Sequence, residues 1–222
     1  MIKFGWKAGA EQYPPGNLLD YAVIADQAGF DLLDVSDHFH PWSEAGQASF
    51  AWIWLGAAAA RTDHITLGPG LTAPILRYHP SVVAQAAATL ACLAPGRTYL
   101  AVGTGEALNE NSSIGQWPGY LERQARLTEA IALIRALWTG DEVTFDGDFF
   151  HTRKARLYTR PETPIPLYVS SLAPAARLSP GVWRWAADGR WTIAAGVRAD
   201  DARVRQGRTG GRQGPDPTAT PD

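Results

Sequence analysis

The sequence predicts an α/β fold, a (β/α)8 barrel of which about five to six strands are present. Three observations predict it. Strand and helix patterns alternate from Ile2 to Ser170 with crossovers of βαβ length, which implies a parallel sheet with helices outside. No G-x-G-x-x-G follows the first strand, which weakens a dinucleotide-binding open sheet. Polar, histidine-bearing loops follow the strand ends, the rim where a barrel keeps its chemistry. An open doubly wound sheet is the alternative.

The elements follow in order. Ile2 to Lys7 alternates as a strand, and Pro14-Pro15 breaks the chain. From Asn17, the residues Leu18, Leu19, Ala22, Val23 and Ala25 fall at helical spacing, with Gly29 as a stop. Asp31 to Ser36 is a short strand, and Ser49 opens a second helix through Ala60. His64 to Gly68 is the third strand, followed by a helix from Pro80 to Leu93. After the Pro95-Gly96 turn, Thr98 to Gly103 is the fourth strand. Tyr120 to Trp138 is a long helix on which Glu122 and Arg126 can pair at i, i+4. Asp141 to His151 reads as a hairpin turning at Asp146-Gly147, and Leu167 to Ser170 as the fifth strand.

A full barrel needs eight strands, in roughly 250 residues. Here a sixth is expected at Trp191 to Ala195, but from about Ser179 the pattern changes, and Val182-Trp183-Arg184-Trp185 follows neither period. Beyond Arg198 the chain is Arg, Gly, Asp, Pro and Thr with almost no apolar residue, a composition that cannot bury a core. The expected division is an incomplete barrel domain over 1–196 and a disordered tail over 197–222.

Composition narrows the function classes. A formal net charge of -2 gives no electrostatic footprint for nucleic acid. The N-terminus lacks the apolar core of a signal peptide, and no run approaches a membrane span. The single cysteine, Cys92, cannot form an internal disulfide or a cysteine-based zinc site, so a reducing cytoplasm is the expected compartment. Its apolar surroundings predict that it packs as a small hydrophobe. Nine tryptophans suggest aromatic pocket walls as well as core.

Three loops carry candidate chemistry. In Asp37-His38-Phe39-His40-Pro41-Trp42, a histidine at a strand end can exchange a proton with an alcohol oxygen near neutral pH. Asp37 can fix an imidazole tautomer or accept from a cofactor, and Trp42 can wall a pocket. Local backbone satisfaction is the alternative for these histidines. A metal site at His38 and His40 is a weak one without further ligands. In Gly103-Thr104-Gly105-Glu106, the glycines allow close approach to a ring or phosphate. Glu106 there can serve as an acid if desolvation raises its pKa; a solvated Glu on a plain turn is the alternative. Gly68-Pro69-Gly70-Leu71-Thr72-Ala73-Pro74 marks an unusual backbone, a loop or a ledge for a planar ring. Arg77, just beyond it, suits a structural ion pair better than an anion site.

Taken together, Glu11-Gln12-Tyr13, Ser36 to Trp42, Pro74-Ile75-Leu76-Arg77-Tyr78-His79-Pro80 and Gly103-Thr104-Gly105-Glu106-Ala107-Leu108-Asn109-Glu110 stand in an order that resembles the luciferase-like family. The likeness is to its coenzyme F420-dependent glucose-6-phosphate and secondary-alcohol dehydrogenases. Leu157-Tyr158-Thr159-Arg160-Pro161 and Pro166-Leu167-Tyr168-Val169-Ser170 continue it, so the resemblance covers residues 2–177. It implies a TIM barrel, usually a homodimer, and hydride transfer between an alcohol or sugar phosphate and F420. It implies that His38 meets the substrate hydroxyl, that Glu106 is the acid near the deazaflavin, and that Trp42 positions substrate. Asp37, Gly70, Leu71, Thr104, Gly105 and Asn109 match cofactor-contacting positions, with no metal. The Gly70-Leu71 bond stands where the family has a non-prolyl cis peptide. The secondary-alcohol branch is favoured by Phe39-His40-Pro41-Trp42 and Ala51-Trp52-Ile53-Trp54. An FMN-dependent monooxygenase on the same barrel and an inactive remnant are the alternatives.

Two departures stand out. Ala73 replaces a threonine or cysteine of the family. The glycine-rich segment expected after the fifth strand reads Ser171-Leu172-Ala173-Pro174, and the match fades after about Arg177. A frameshift or truncation is the expectation that follows.

Overall fold

The computed structural model describes residues 3–170 and the strand backbones Val182–Trp185, Trp191–Ala194 and Val204–Gln206. Three parallel strands open the chain: β1 (Gly5–Ala8), β2 (Leu32–Val35) and β3 (Thr66–Pro69), paired in that order. Their register sets Lys7 beside Asp34 and Asp34 beside Gly68. Each crossover is a helix. The first, α1 (Pro15–Gln27), begins on Pro15, whose missing N–H costs nothing at the first helical position. Leu18, Ala22 and Ala25 are its buried stripe, and Gly29 ends it in the left-handed region at φ 80°. Helix α2 (Ala51–Arg61) starts two residues later than expected, because Phe50 rather than Ser49 holds the N-cap position.

Helix α3 (Pro80–Leu93) leads to β4 (Leu100–Val102). Single bridges, Leu67 to Thr98 and Thr72 to Val102, carry the parallel wall from the β3 side to the β4 side. Cys92 is exposed, against expectation. Ala91 and Ala94 face the core on either side of it, and Cys92 and Leu93 occupy the outward face of the last turn.

A helix that periodicity did not predict follows β4: α4 (Ala107–Ile114). It is polar almost throughout, so no apolar stripe announced it, and Gly115 closes it at φ 69°. The long helix α5 (Tyr120–Trp138) falls on the expected residues, with Arg126 Nη2 2.8 Å from Glu122 Oε1. The expected hairpin forms from β5 (Val143–Asp146) and β6 (His151–Ala155). It reaches four residues beyond the expected end at His151. β7 (Leu167–Ser170) lies parallel to β4.

The region of the expected sixth strand is arranged differently. Val182–Trp185 forms β8 beside β7, parallel to it, and Trp191–Ala194 forms β9, antiparallel to β8. The short connection explains the direction: a parallel return needs a crossover of about a dozen residues or more. Strand β10 (Val204–Gln206) pairs antiparallel with β5. The rest of the tail expected over 197–222, and Ser171 to Pro174, lie outside the described residues.

Apolar burial falls into two clusters. One gathers α1 and α2 on β1–β3, around Leu18, Leu33, Leu55 and Leu67. The other gathers α3, α5 and the hairpin on β4 and β7, around Val83, Leu100, Leu133 and Phe145. Among the described residues no helix is long and apolar enough to cross a membrane.

Candidate active site

The C-terminal ends of β1, β2, β3 and β4 open on one side of the wall, and the loops leaving them enclose a cleft of about 490 Å³. His38, Trp42 and Glu106 all line it, and so do Asp37, Gly70, Leu71, Thr104, Gly105 and Asn109. Three loops separated in sequence are thus brought to one place. The glycines make this possible. A Cβ on Gly103 would stand 2.8 Å from Leu71 Cδ2, so Leu71 lies across the loop only because that position has no side chain. Gly105 sits at φ 70°, which favours glycine. The Gly70-Leu71 peptide is cis.

His38 is half-buried, and its Nδ1 lies 2.6 Å from Glu11 Oε1. Glu11 is only 5% exposed. Burial pushes its carboxyl up, but Ser36 and the neighbouring His38 outweigh it, and the pKa is lowered. The carboxylate beside the His38 imidazole is thus Glu11 and not Asp37. Glu11 stands in the loop after β1, so it shares the rim with the other strand-end loops. That position was the available signal for a role, which sequence reasoning left unassigned. His40 turns away, with Nδ1 2.6 Å from Pro41 O. The two histidines do not converge, and no group of three or more His, Cys, Asp or Glu among the described residues could hold a metal ion.

Asp37 is buried and held by protein partners. Thr72 Oγ1 donates to Oδ2, Tyr78 Oη donates to Oδ1 at 2.9 Å, and Arg77 Nη2 lies 3.2 Å from Oδ1. Arg77 Nη2 also donates to the Asp37 carbonyl at 2.6 Å. Arg77 thus takes the structural role expected of it. Burial and the Asp37 charge raise the pKa of the Tyr78 phenol, which stays a donor.

Glu106 is exposed at the N-cap of α4. The desolvation considered for it acts instead on Glu110, which is 1% exposed in the same cleft. Burial raises the Glu110 carboxyl despite the opposing charge of Arg77 and a hydrogen bond from the Arg77 N–H at 3.2 Å. Trp42 is 63% exposed, its ring edge-on to His38 with centroids 6.1 Å apart. Lys7, which sequence reasoning also passed over, reaches into the cleft from β1. Its Nζ donates to Gly70 O at 2.7 Å and lies 2.8 Å from Asp34 Oδ1. Burial nevertheless raises the Asp34 carboxyl.

The chain is similar to a set of known proteins. An F420-dependent glucose-6-phosphate dehydrogenase of Beutenbergia cavernae is 54% identical over 177 residues, 79% of this chain and 53% of its own. The enzyme of that name from Intrasporangium calvum is 52% identical over 178 residues, 78% and 53% of the two chains. Among solved structures, an F420-dependent secondary alcohol dehydrogenase in complex with an F420-acetone adduct matches with TM-score 0.77 and 44% identity. That match covers 79% of this chain and 54% of the other. The chain spans about half the length of the curated relatives it matches. An F420-dependent tetrahydromethanopterin reductase from Methanopyrus kandleri, at 23% identity and TM-score 0.66, shares the fold. The profile described as luciferase-like monooxygenase matches residues 2–204, and the chain belongs to that family.

Proposed function

We propose that this chain carries the hydride-transfer site of an F420-dependent oxidoreductase acting on an alcohol. The observation that carries the reading is His38, backed by Glu11, lining a cleft rimmed by the 70–71 and 103–106 loops. The residues present fit a deazaflavin. The volume lies within the usual range for small-molecule sites, roughly 300–1,000 Å³. Leu71, Ala73 and Trp42 offer apolar surface to a planar ring, and the glycine backbone at 103 and 105 allows close approach.

When bound, F420 supplies a ring carbon that exchanges a hydride with the alcohol carbon. The chain's own residues do the rest. In alcohol oxidation, Glu11 holds the Nδ1–H of His38, which leaves Nε2 to take the hydroxyl proton. The resulting imidazolium is stabilised by the buried Glu11 carboxylate. Glu106, on the opposite loop, takes the role of the acid that the family resemblance implies, with the buried Glu110 beside it in the same cleft. Trp42, edge-on to His38, offers an apolar wall on the substrate side. Asp37, Gly70, Leu71, Thr104, Gly105 and Asn109 form the cofactor side. A secondary alcohol is the favoured substrate and a sugar phosphate the other, and the form proposed for the enzyme is a cytoplasmic homodimer.

Titration of the purified chain with F420, followed by the cofactor's fluorescence, tests the reading. Saturable binding of F420, in preference to FMN, is expected. Binding of FMN but not F420 overturns it.

A further inference from the structure

Asn109 matches a cofactor-contacting position, and its side-chain oxygen is also bonded within the protein. It is 3% exposed. Its Oδ1 accepts two consecutive backbone donors, Phe39 N at 2.9 Å and His40 N at 3.0 Å. Its Nδ2 lies at the long distance of 3.5 Å from Glu106 Oε2. Its backbone N–H donates to Glu106 O at 3.1 Å, in the first turn of α4. The amide therefore spans the β2 loop, which carries His38, and the β4 loop, which carries Glu106. Both acceptor directions of Oδ1 are spent on protein donors, so that oxygen has little left for a ligand.

We infer that Asn109 is a positioning residue that fixes the His38 loop to the α4 turn bearing Glu106, and so sets the two acid-base groups relative to one another. The chemistry gives this a reason. Phe39 and His40 follow His38 directly, and their N–H groups point inward, where an unpaired donor is costly. A single acceptor pairing both fixes the path of the chain just past the imidazole. A second anchor holds the same turn from its other side, since Glu110 Oε2 accepts from Arg77 N. The α4 turn is thus tied to the loops after β2 and β3. The coupling rests on the reaction proposed above only for its catalytic consequence; the bonds themselves are a property of the chain without ligand.

Two variants separate the possibilities. Asn109→Ala removes the acceptor. Asn109→Asp keeps an oxygen for Phe39 N and His40 N and loses the donor toward Glu106. Amide exchange is measured first, by NMR on the chain without cofactor. In Asn109→Ala, Phe39 and His40 are expected to exchange at least about tenfold faster, while Leu33 and Val35 in β2 hold their rates. In Asn109→Asp both amides return to within about threefold of wild type. Unchanged protection in Asn109→Ala, or loosening of β2 to the same degree, overturns the inference.

F420 affinity and alcohol turnover are measured next. In Asn109→Ala, kcat at saturating F420 is expected to fall on the order of 10²-fold, as for a small misplacement of reacting groups, with the alcohol KM nearly unchanged. In Asn109→Asp, part of kcat returns. A weakened F420 Kd with kcat intact makes Asn109 a cofactor contact and overturns the inference. If the wild-type chain binds no F420 or turns over no alcohol, the proposed reaction fails, and the exchange rates alone decide the coupling.

Discussion

In the proposed reaction the two ring nitrogens of His38 have different tasks, and Glu11 decides which has which. A carboxylate 2.6 Å from Nδ1 favours the proton on that nitrogen, which leaves Nε2 for the substrate. Glu11→Gln keeps the shape but removes the charge that stabilises the imidazolium. We predict that it lowers kcat by about 10²- to 10³-fold, while F420 binding survives. His38→Ala, as the reference, abolishes turnover with binding likewise retained. Rates near wild type in Glu11→Gln would show that the pair is structural only. The same carboxylate is linked to stability. Its folded pKa is depressed, so the stability it contributes is present above the ordinary value of 4.5 and is lost as pH falls through the folded value. Urea unfolding should therefore show wild type more stable than Glu11→Gln at pH 7, with the gap closing as pH falls below 4.5. Glu110 has the opposite sign. Its raised folded pKa favours the protonated form, so its contribution is present below 4.5 and is lost as pH rises through the folded value.

At the scale of elements, one device recurs: a carboxylate takes three successive backbone N–H groups and docks a turn onto a helix. Asp26, near the end of α1, accepts from Asp63 N at 2.8 Å, His64 N at 3.0 Å and Ile65 N at 2.6 Å, which sets the approach to β3. Glu129 on α5 does the same for the hairpin, with Asp148 N at 2.9 Å, Phe149 N at 3.0 Å and Phe150 N at 2.6 Å. Burial opposes the Asp26 charge, and the three amides outweigh it. We predict that Asp26→Ala destabilises the fold by about 2–3 kcal/mol, because it leaves a row of inward donors unpaired. For a chain of this size that is a fall in Tm of roughly 5–10 °C. A shift below about 2 °C would mean that water replaces the carboxylate. Sequence reasoning found the helices joined by these clips and missed the clips themselves. Leu18, Ala22 and Ala25 recur at helical spacing and so announce α1. Asp26 bonds to residues 37 to 39 positions away, and no local period encodes that.

The whole molecule repeats this division. The parallel order of β1, β2 and β3 and the helices between them were legible, because each element carries its own period and its own stop. The cleft was legible in outline too, since a parallel sheet sends its strand-end loops to one side and those loops held the unusual residues. What stayed hidden was pairing across loops: Glu11 with His38, Asn109 with Phe39 and His40, Lys7 with Gly70. The antiparallel turn of β9 was hidden for a related reason, since a strand's direction depends on its connection and not on its own residues. This geometry has a thermodynamic consequence. Asp37, His38, Gly70 and Leu71 extend from β2 and β3, whose strands belong to one apolar cluster. Gly103, Thr104 and Glu106 extend from β4, and Tyr120 begins α5, both in the other. A ligand in the cleft touches both halves, so its binding energy opposes their separation as well as local opening. We predict that F420 raises Tm in a concentration-dependent way. Binding to the folded chain alone adds about 2.7 kcal/mol at one hundred times Kd, a rise of roughly 5–10 °C. Amide exchange should slow in β2 and β4 together. Protection gained in one half, with the other unchanged, would place the ligand on a single loop and not across the cleft.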